Sequence, residues 1–102
     1  MQLVQILLPL ADNDGHAFGK DLYETVAHEL TLRFGGVTAY TRAPADGRWR
    51  DELSATSSDE VVVFEVMLAT LDEGWWGKYR AHLEALFRQK QIIVRAQSIR
   101  LL

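Results

Sequence analysis

Val61-Val62-Val63-Phe64-Glu65-Val66-Met67-Leu68-Ala69 is the most strand-like run in the chain. β-branched and aromatic residues dominate it, and these types suit a pleated, packed surface. Alternation sends Val62, Phe64 and Val66 to one side and Val61, Val63, Glu65 and Met67 to the other. Apart from Glu65, both sides are apolar. The run therefore predicts a strand in a sheet that leaves neither face to water.

After this strand, Asp72 stands as the N-cap of a helix. Trp76, Tyr79, Leu83, Leu86 and Phe87 form its apolar stripe, at helical spacing. Ile92 to about Leu101 closes the chain as a strand, with Ile92, Val94 and Ala96 on one side and Ile93, Arg95, Gln97 and Ile99 on the other. Towards the N-terminus the same grammar recurs. Val4, Ile6, Leu8 and Leu10 share one side of a first strand and Leu3, Gln5 and Leu7 the other, with Pro9 marking its exit. A turn-forming loop, Asp12-Asn13-Asp14-Gly15-His16, precedes an amphipathic helix from about Phe18 to Phe34, which Gly35-Gly36 stops. Val37 to Ala43 alternates again as a second strand. Pro44-Ala45-Asp46-Gly47 is a tight-turn signal that returns Arg48-Trp49-Arg50 as an extra hairpin arm. The Ser/Thr-rich stretch between Glu52 and Glu60 reads as a mobile loop.

The order is β-α-β-(arm)-β-α-β. It predicts one α+β domain over residues 1–102, a ferredoxin-like βαββαβ sandwich. The antiparallel four-stranded sheet has strand order 4-1-3-2, with both helices on one face. Two helices cover one face only. The uncovered face then carries Leu3, Gln5 and Leu7; Thr38, Tyr40 and Arg42; Val61, Val63, Glu65 and Met67; and Ile93, Arg95, Gln97 and Ile99. A patch this apolar marks an interface or a ligand groove. In that strand order Arg95, Gln5, Glu65 and either Tyr40 or Arg42 fall in a row across the sheet, provided that the register holds. The simpler reading is a paired polar network inside a homodimer interface. The sharper one is a cavity in which Glu65 is acid or base and the arginines bind an anion. The candidate pocket or interface residues are Gln5, Tyr40, Arg42, Trp49, Glu65, Met67, Arg95 and Gln97.

Composition removes several classes. The chain has 102 residues, 48% of them hydrophobic, which suits one ordered domain, and by size scaling it should bury roughly 65% of its unfolded surface. It contains no cysteine, so disulfides, thiolate metal sites and a cysteine nucleophile are excluded. Eleven Lys and Arg against fourteen Asp and Glu give a net charge of −3, which disfavours general phosphate tracking along nucleic acid. The open face also lacks the paired aromatics of an RNA-stacking platform. No apolar run approaches the ~18 residues of a membrane span. Met1-Gln2-Leu3-Val4-Gln5 has no basic stretch before its apolar residues, so no secretory signal is expected and the cytoplasm is the expected compartment.

Other motifs fail on chemistry. His28-Glu29-Leu30-Thr31-Leu32 begins like a zinc-protease helix, but Leu32 stands where the second histidine is needed. Glu24 and His28 are one turn apart with no third ligand in view. Asp12-Asn13-Asp14-Gly15 is loop-like, yet a calcium-loop alignment puts Leu10 at the first ligand position and Asp21 at the last. His16 reads as a solvated loop histidine. Trp75 and Trp76 cannot share the centre of one stripe. Trp76 suits the core, and Trp75 is left to cover a helix edge, a partner or a ligand mouth. Trp49 poses the same choice on the hairpin arm. No metal and no cofactor is expected.

Leu30-Thr31-Leu32-Arg33-Phe34-Gly35-Gly36-Val37-Thr38-Ala39, followed by Gly47-Arg48-Trp49, resembles a group of short uncharacterised bacterial proteins over most of the chain. That group is similar to ferredoxin-like, dimeric α/β-barrel proteins, a class holding cofactor-free monooxygenases, haem-handling enzymes and proteins without known activity. The resemblance implies the fold and brings no catalytic residues with it. The expectation is a small cytoplasmic protein that forms a homodimer through the open sheet face, with no activity assignable from sequence. The alternatives are a cofactor-independent, monooxygenase-like small-molecule enzyme and a ligand-sensing module, both using a pocket on that face.

Overall fold

In the computed structural model, residues 1–42 and 61–102 are described. The expected hairpin arm with Trp49 and the Ser/Thr-rich loop lie outside the described residues. Along the chain come β1 (Gln2–Pro9), α1 (Lys20–Phe34), β2 (Thr38–Arg42), β3 (Val61–Leu68), α2 (Glu73–Leu86) and β4 (Ile93–Ser98). The strands form one antiparallel sheet in the order β2-β3-β1-β4, the expected order read from its other edge.

The helices pack on the side of the sheet that carries Val4, Ile6 and Leu8 of β1 and Phe64, Val66 and Leu68 of β3. Val26 and Leu30 come down from α1, and Trp76, Tyr79 and Leu83 from α2, with Phe87 and Ile92 closing the cluster. The apolar periodicities thus select the buried faces of strand and helix alike.

Local chemistry sets the boundaries. The first helix begins two residues later than its apolar pattern, because Gly19 is extended and the Phe18 N–H is taken by the Leu10 carbonyl at 3.1 Å. Phe18 still packs on the core, edge-on to Phe87 at 5.1 Å. Gly35 ends α1 at φ 87°, where its N–H reaches the Thr31 carbonyl at 2.8 Å. Asp72 caps α2, its side chain accepting from the Trp75 N–H at 3.1 Å.

The closing strand is shorter than expected. The Ile92 N–H is held by Glu84 Oε2 at 3.0 Å, so Ile92 is anchored to the end of α2 and the ladder starts at Ile93. Helix cover also thins out there. Ile92 is buried, Val94 half-buried and Ala96 exposed, so Ala96 does not lie under the helices as its alternation suggested.

Two substitutions check this account. Leu83→Ala, at a fully buried position, is expected to lower stability by about 2–5 kcal/mol in urea unfolding. Gly35→Ala meets no neighbouring atom within 4 Å, so its cost is conformational, roughly 1–2 kcal/mol for a β-carbon at positive φ.

Candidate functional site

The register of the sheet brings polar side chains together on the face away from the helices. In the central strand, Gln5 lies opposite Glu65 of β3 and Arg95 of β4. Gln5 Nε2 donates to Glu65 Oε2 at 2.7 Å, and Arg95 Nε donates to Gln5 Oε1 at 3.0 Å. A carboxylate only accepts, so Glu65 turns the Gln5 amide NH2 towards itself and leaves the carbonyl for Arg95. Across β2, Thr38 is directly opposite Glu65, while Tyr40 sits one diagonal away and its hydroxyl donates to Glu65 Oε2 at 3.0 Å. The row is therefore continuous through hydrogen bonds from Arg95 to Tyr40.

Its two ends differ. Glu65 Oε2 receives two donors, while Oε1 has none among the described residues. Arg95 is pinned through Nε, and its two terminal nitrogens have no partner among the described residues. A guanidinium held this way presents a fork suited to a carboxylate or phosphate. Beside it, Gln5, Arg95, Ala96 and Gln97 line a depression of about 350 Å³.

Around the row the face is apolar. Leu3 and Leu7 are half-buried, whereas Tyr40, Met67 and Ile93 are 42%, 55% and 49% exposed. Val63 is buried, yet stands outside the core cluster beneath the helices. Gln97 and Met67 both lie opposite Leu3, on its two sides. Arg42 occupies the β2 position opposite Val61, one hydrogen-bonding step beyond Tyr40. Trp49 lies outside the described residues.

Two other clusters were not singled out as sites. In the loop before α1, Asp12 Oδ1 accepts from the Asp14 and His16 N–H groups, each at 2.9 Å. Ligand atoms of Asp12, Asp14 and His16 lie within 4.8 Å of one another, and Arg88 approaches Asp12 at 3.9 Å. The Asp-x-Asp-x-His spacing was the available signal. The backbone N–H of His16 is the main cause that holds the Asp12 carboxyl below its ordinary value of 3.8. Between the helices, the Tyr79 hydroxyl donates to Glu29 Oε1 at 2.9 Å and His82 Nε2 lies 3.4 Å from the same oxygen. Burial first, then Glu29, pushes the Tyr79 phenol well above the usual range.

Trp75 takes the helix-edge role. It stacks on Tyr79 at 4.9 Å and meets Phe34 edge-on at 5.2 Å, with the Arg33 guanidinium 4.5 Å above its ring. Glu24 and His28 line a shallow exposed face of α1 together with Asp21, Thr25 and Glu29.

No family model matches the chain, and no curated protein matches it. Among solved structures it is similar to a phage SAM lyase in complex with S-methyl-5'-thioadenosine. The TM-score is 0.53 and the identity 20%, over 94% of this chain and 79% of that one. At that identity the similarity shows the fold, a small α+β sheet with two helices.

Gln5→Leu is expected to break the row at its centre and cost about 0.5–1.5 kcal/mol in chemical unfolding, the net worth of a typical hydrogen bond. In the loop, the lowered Asp12 value means that its contribution to stability is present above pH 3.8 and is lost as pH falls through the lower folded value. A carbon-detected NMR titration should therefore show Asp12 as a low-titrating aspartate, and Ala at His16 should leave that main-chain bond and most of the shift in place.

Proposed function

We propose that the open face of the sheet is a small-molecule site, completed by a second copy of this chain packed face to face. The observation that carries the reading is the row Arg95–Gln5–Glu65–Tyr40, tied internally but open, among the described residues, at Arg95 and at Glu65 Oε1. A network that served only to fill an interface would be expected to satisfy both charged ends within itself. Among the described residues, this one offers an anion-binding fork at one end and a carboxylate oxygen without a donor towards the other. The matching ligand is dipolar, with a negative group for Arg95 and a positive one for Glu65.

The apolar surround supports the partner copy. Met67, Ile93 and Tyr40 present large exposed side chains on one face, and covering them with the same face of a second chain removes them from water and lowers the local dielectric around the row. Met67→Glu is expected to remove the face-to-face step of association and so halve the assembly in sedimentation velocity. A wild type that stays monomeric at about 100 μM, a concentration at which even weak specific pairs assemble, overturns the partner copy.

A second, narrower reading is favoured by the fold neighbour, whose ligand is a thionucleoside and whose substrate carries a sulfonium. SAM carries a carboxylate beside an α-ammonium and, further along, a positive sulfur; its carboxylate would meet Arg95 and a positive group Glu65. Isothermal calorimetry with SAM and with S-methyl-5'-thioadenosine tests it. Glu65→Gln should weaken SAM binding by about tenfold or more and spare the uncharged thioether. Equal loss for both, or no binding of either by the wild type, rejects the sulfonium reading. Binding without product on prolonged incubation would make the site a sensor; product would make it an enzyme.

A further inference from the structure

Among the described residues, strand β4 is an edge of the sheet and pairs with β1 alone. Its ladder runs on to Ile99, whose N–H donates to the Met1 carbonyl at 3.0 Å. In an antiparallel strand, successive residues direct their N–H and C=O to opposite sides. Ile93, Arg95 and Gln97 therefore point theirs at β1. Val94, Ala96 and Ser98 point theirs outward, to no strand among the described residues.

Exposed edges are ordinarily blunted by proline, lysine, a bulge or a covering element. Residues 93–98 contain neither Pro nor Lys, and their register with β1 is unbroken. The one charge, Arg95, is drawn across the open face to Gln5. On the helix side the cover is incomplete. A cleft of about 380 Å³ separates α2 from β4, floored by Val4, Trp76, Val94 and Ala96 and flanked by Glu73 and Arg80.

We propose that β4 pairs antiparallel with β4 of a second copy across a two-fold axis, joining two four-stranded sheets into one. The occupant is a second copy because the edge and its cleft are complementary to themselves, as a two-fold interface requires. Residues opposite each other in such a pair share a face, so Ala96 can meet the partner's Ala96 on the axis. Val94 then faces the partner's Ser98, Arg95 the partner's Gln97, and Ile93 the partner's Ile99. The outward-pointing residues supply about six main-chain hydrogen bonds in this register. Shifting the axis to Arg95 would oppose two guanidinium groups.

The same axis runs the two α2 helices antiparallel above the joined edge. Gly77 lies near the middle of the cleft side of α2, and nothing stands within 4 Å of where its β-carbon would be, which leaves room for close approach. Glu73 and Arg80 lie on either side of it, so each copy turns an acid towards the partner's Arg80 and a base towards the partner's Glu73. Glu73 has no ion pair among the described residues, and Arg80 has only Glu84, at 3.8 Å.

The edge adjoins the depression on the open face, sharing Arg95, Ala96 and Gln97 with it, but it pairs through the outward main chain of β4, and the test separates the two pairings. Amide hydrogen exchange on the full chain, read by NMR well above and well below the dissociation concentration, reports each strand residue by itself. The Val94, Ala96 and Ser98 amides should gain protection in step with association, while Arg95 and Gln97 stay protected throughout. A face-to-face dimer leaves those three outward amides unprotected, so rapid exchange in an associated sample overturns the edge pairing and spares the other reading. A chain that is monomeric at about 1 mM overturns it as well. Ala96→Glu places like charges opposite each other on the axis and should weaken association roughly ten- to hundredfold. Glu73→Arg and Arg80→Glu should each weaken it, and the double variant should recover it; a double no better than the singles rejects the α2 contact and with it this axis. Met67→Glu should leave the outward amides protected.

Discussion

Strand β1 is the constraint on which the molecule depends. It is hydrogen-bonded on both sides, to β3 and to β4, so a single register places Val4, Ile6 and Leu8 under the helices and Gln5 between Glu65 and Arg95. A slip of one residue would exchange its two faces, exposing three fully buried side chains and pushing an amide into the core. The cost of that exchange in lost apolar burial is what holds the polar row in line. Packing on one side of the sheet thus positions chemistry on the other.

Within the row, the amide of Gln5 does what neither charge could do alone. Glu65 and Arg95 lie on the two strands that flank β1, with Gln5 between them. The amide is polarised between them, NH2 towards the acid and carbonyl towards the base, so each charge is oriented by a neutral group and keeps part of its bonding capacity. Tyr40 adds a second donor to the same Glu65 oxygen. An anchored charge of this kind is better preorganised for a ligand than a solvated one, because its rotamer freedom has already been given up.

The helices cover the sheet unevenly. Trp76, Tyr79, Leu83 and Phe87 seal the centre, and the aromatic group of Phe34, Trp75 and Trp76 closes the end where the two helices meet. β4 receives less. Towards its C-terminal end the core gives way to a cleft, so the strand that holds Arg95 at the row is also the one whose flank is open among the described residues.

Much of this was legible in the sequence. Period-two and period-3.6 patterns of apolar residues select strands, helices and their buried faces, because burial of Val4, Phe64 or Leu83 is rewarded wherever the chain brings them together. The strand order followed from the βαββαβ succession, and alternation alone put Gln5, Glu65, Arg95 and Tyr40 on one face. What alternation could not decide was reach. Tyr40 lies diagonal to Glu65 and touches it because its side chain is long, whereas Thr38, directly opposite, is too short to have stood out. The amide orientation of Gln5, the three side chains gathered in the Asp12 loop and the thinning of the cover over Ala96 were also settled only by tertiary structure. Each depends on distances between residues far apart in the chain or on local backbone bonds, and periodicity, which reports only the direction a residue faces, carries no such information. The sequence by itself determined which faces are apolar and in what order the elements come; the tertiary structure decided which polar groups meet and how far the helices cover each strand, because those follow from register and packing geometry.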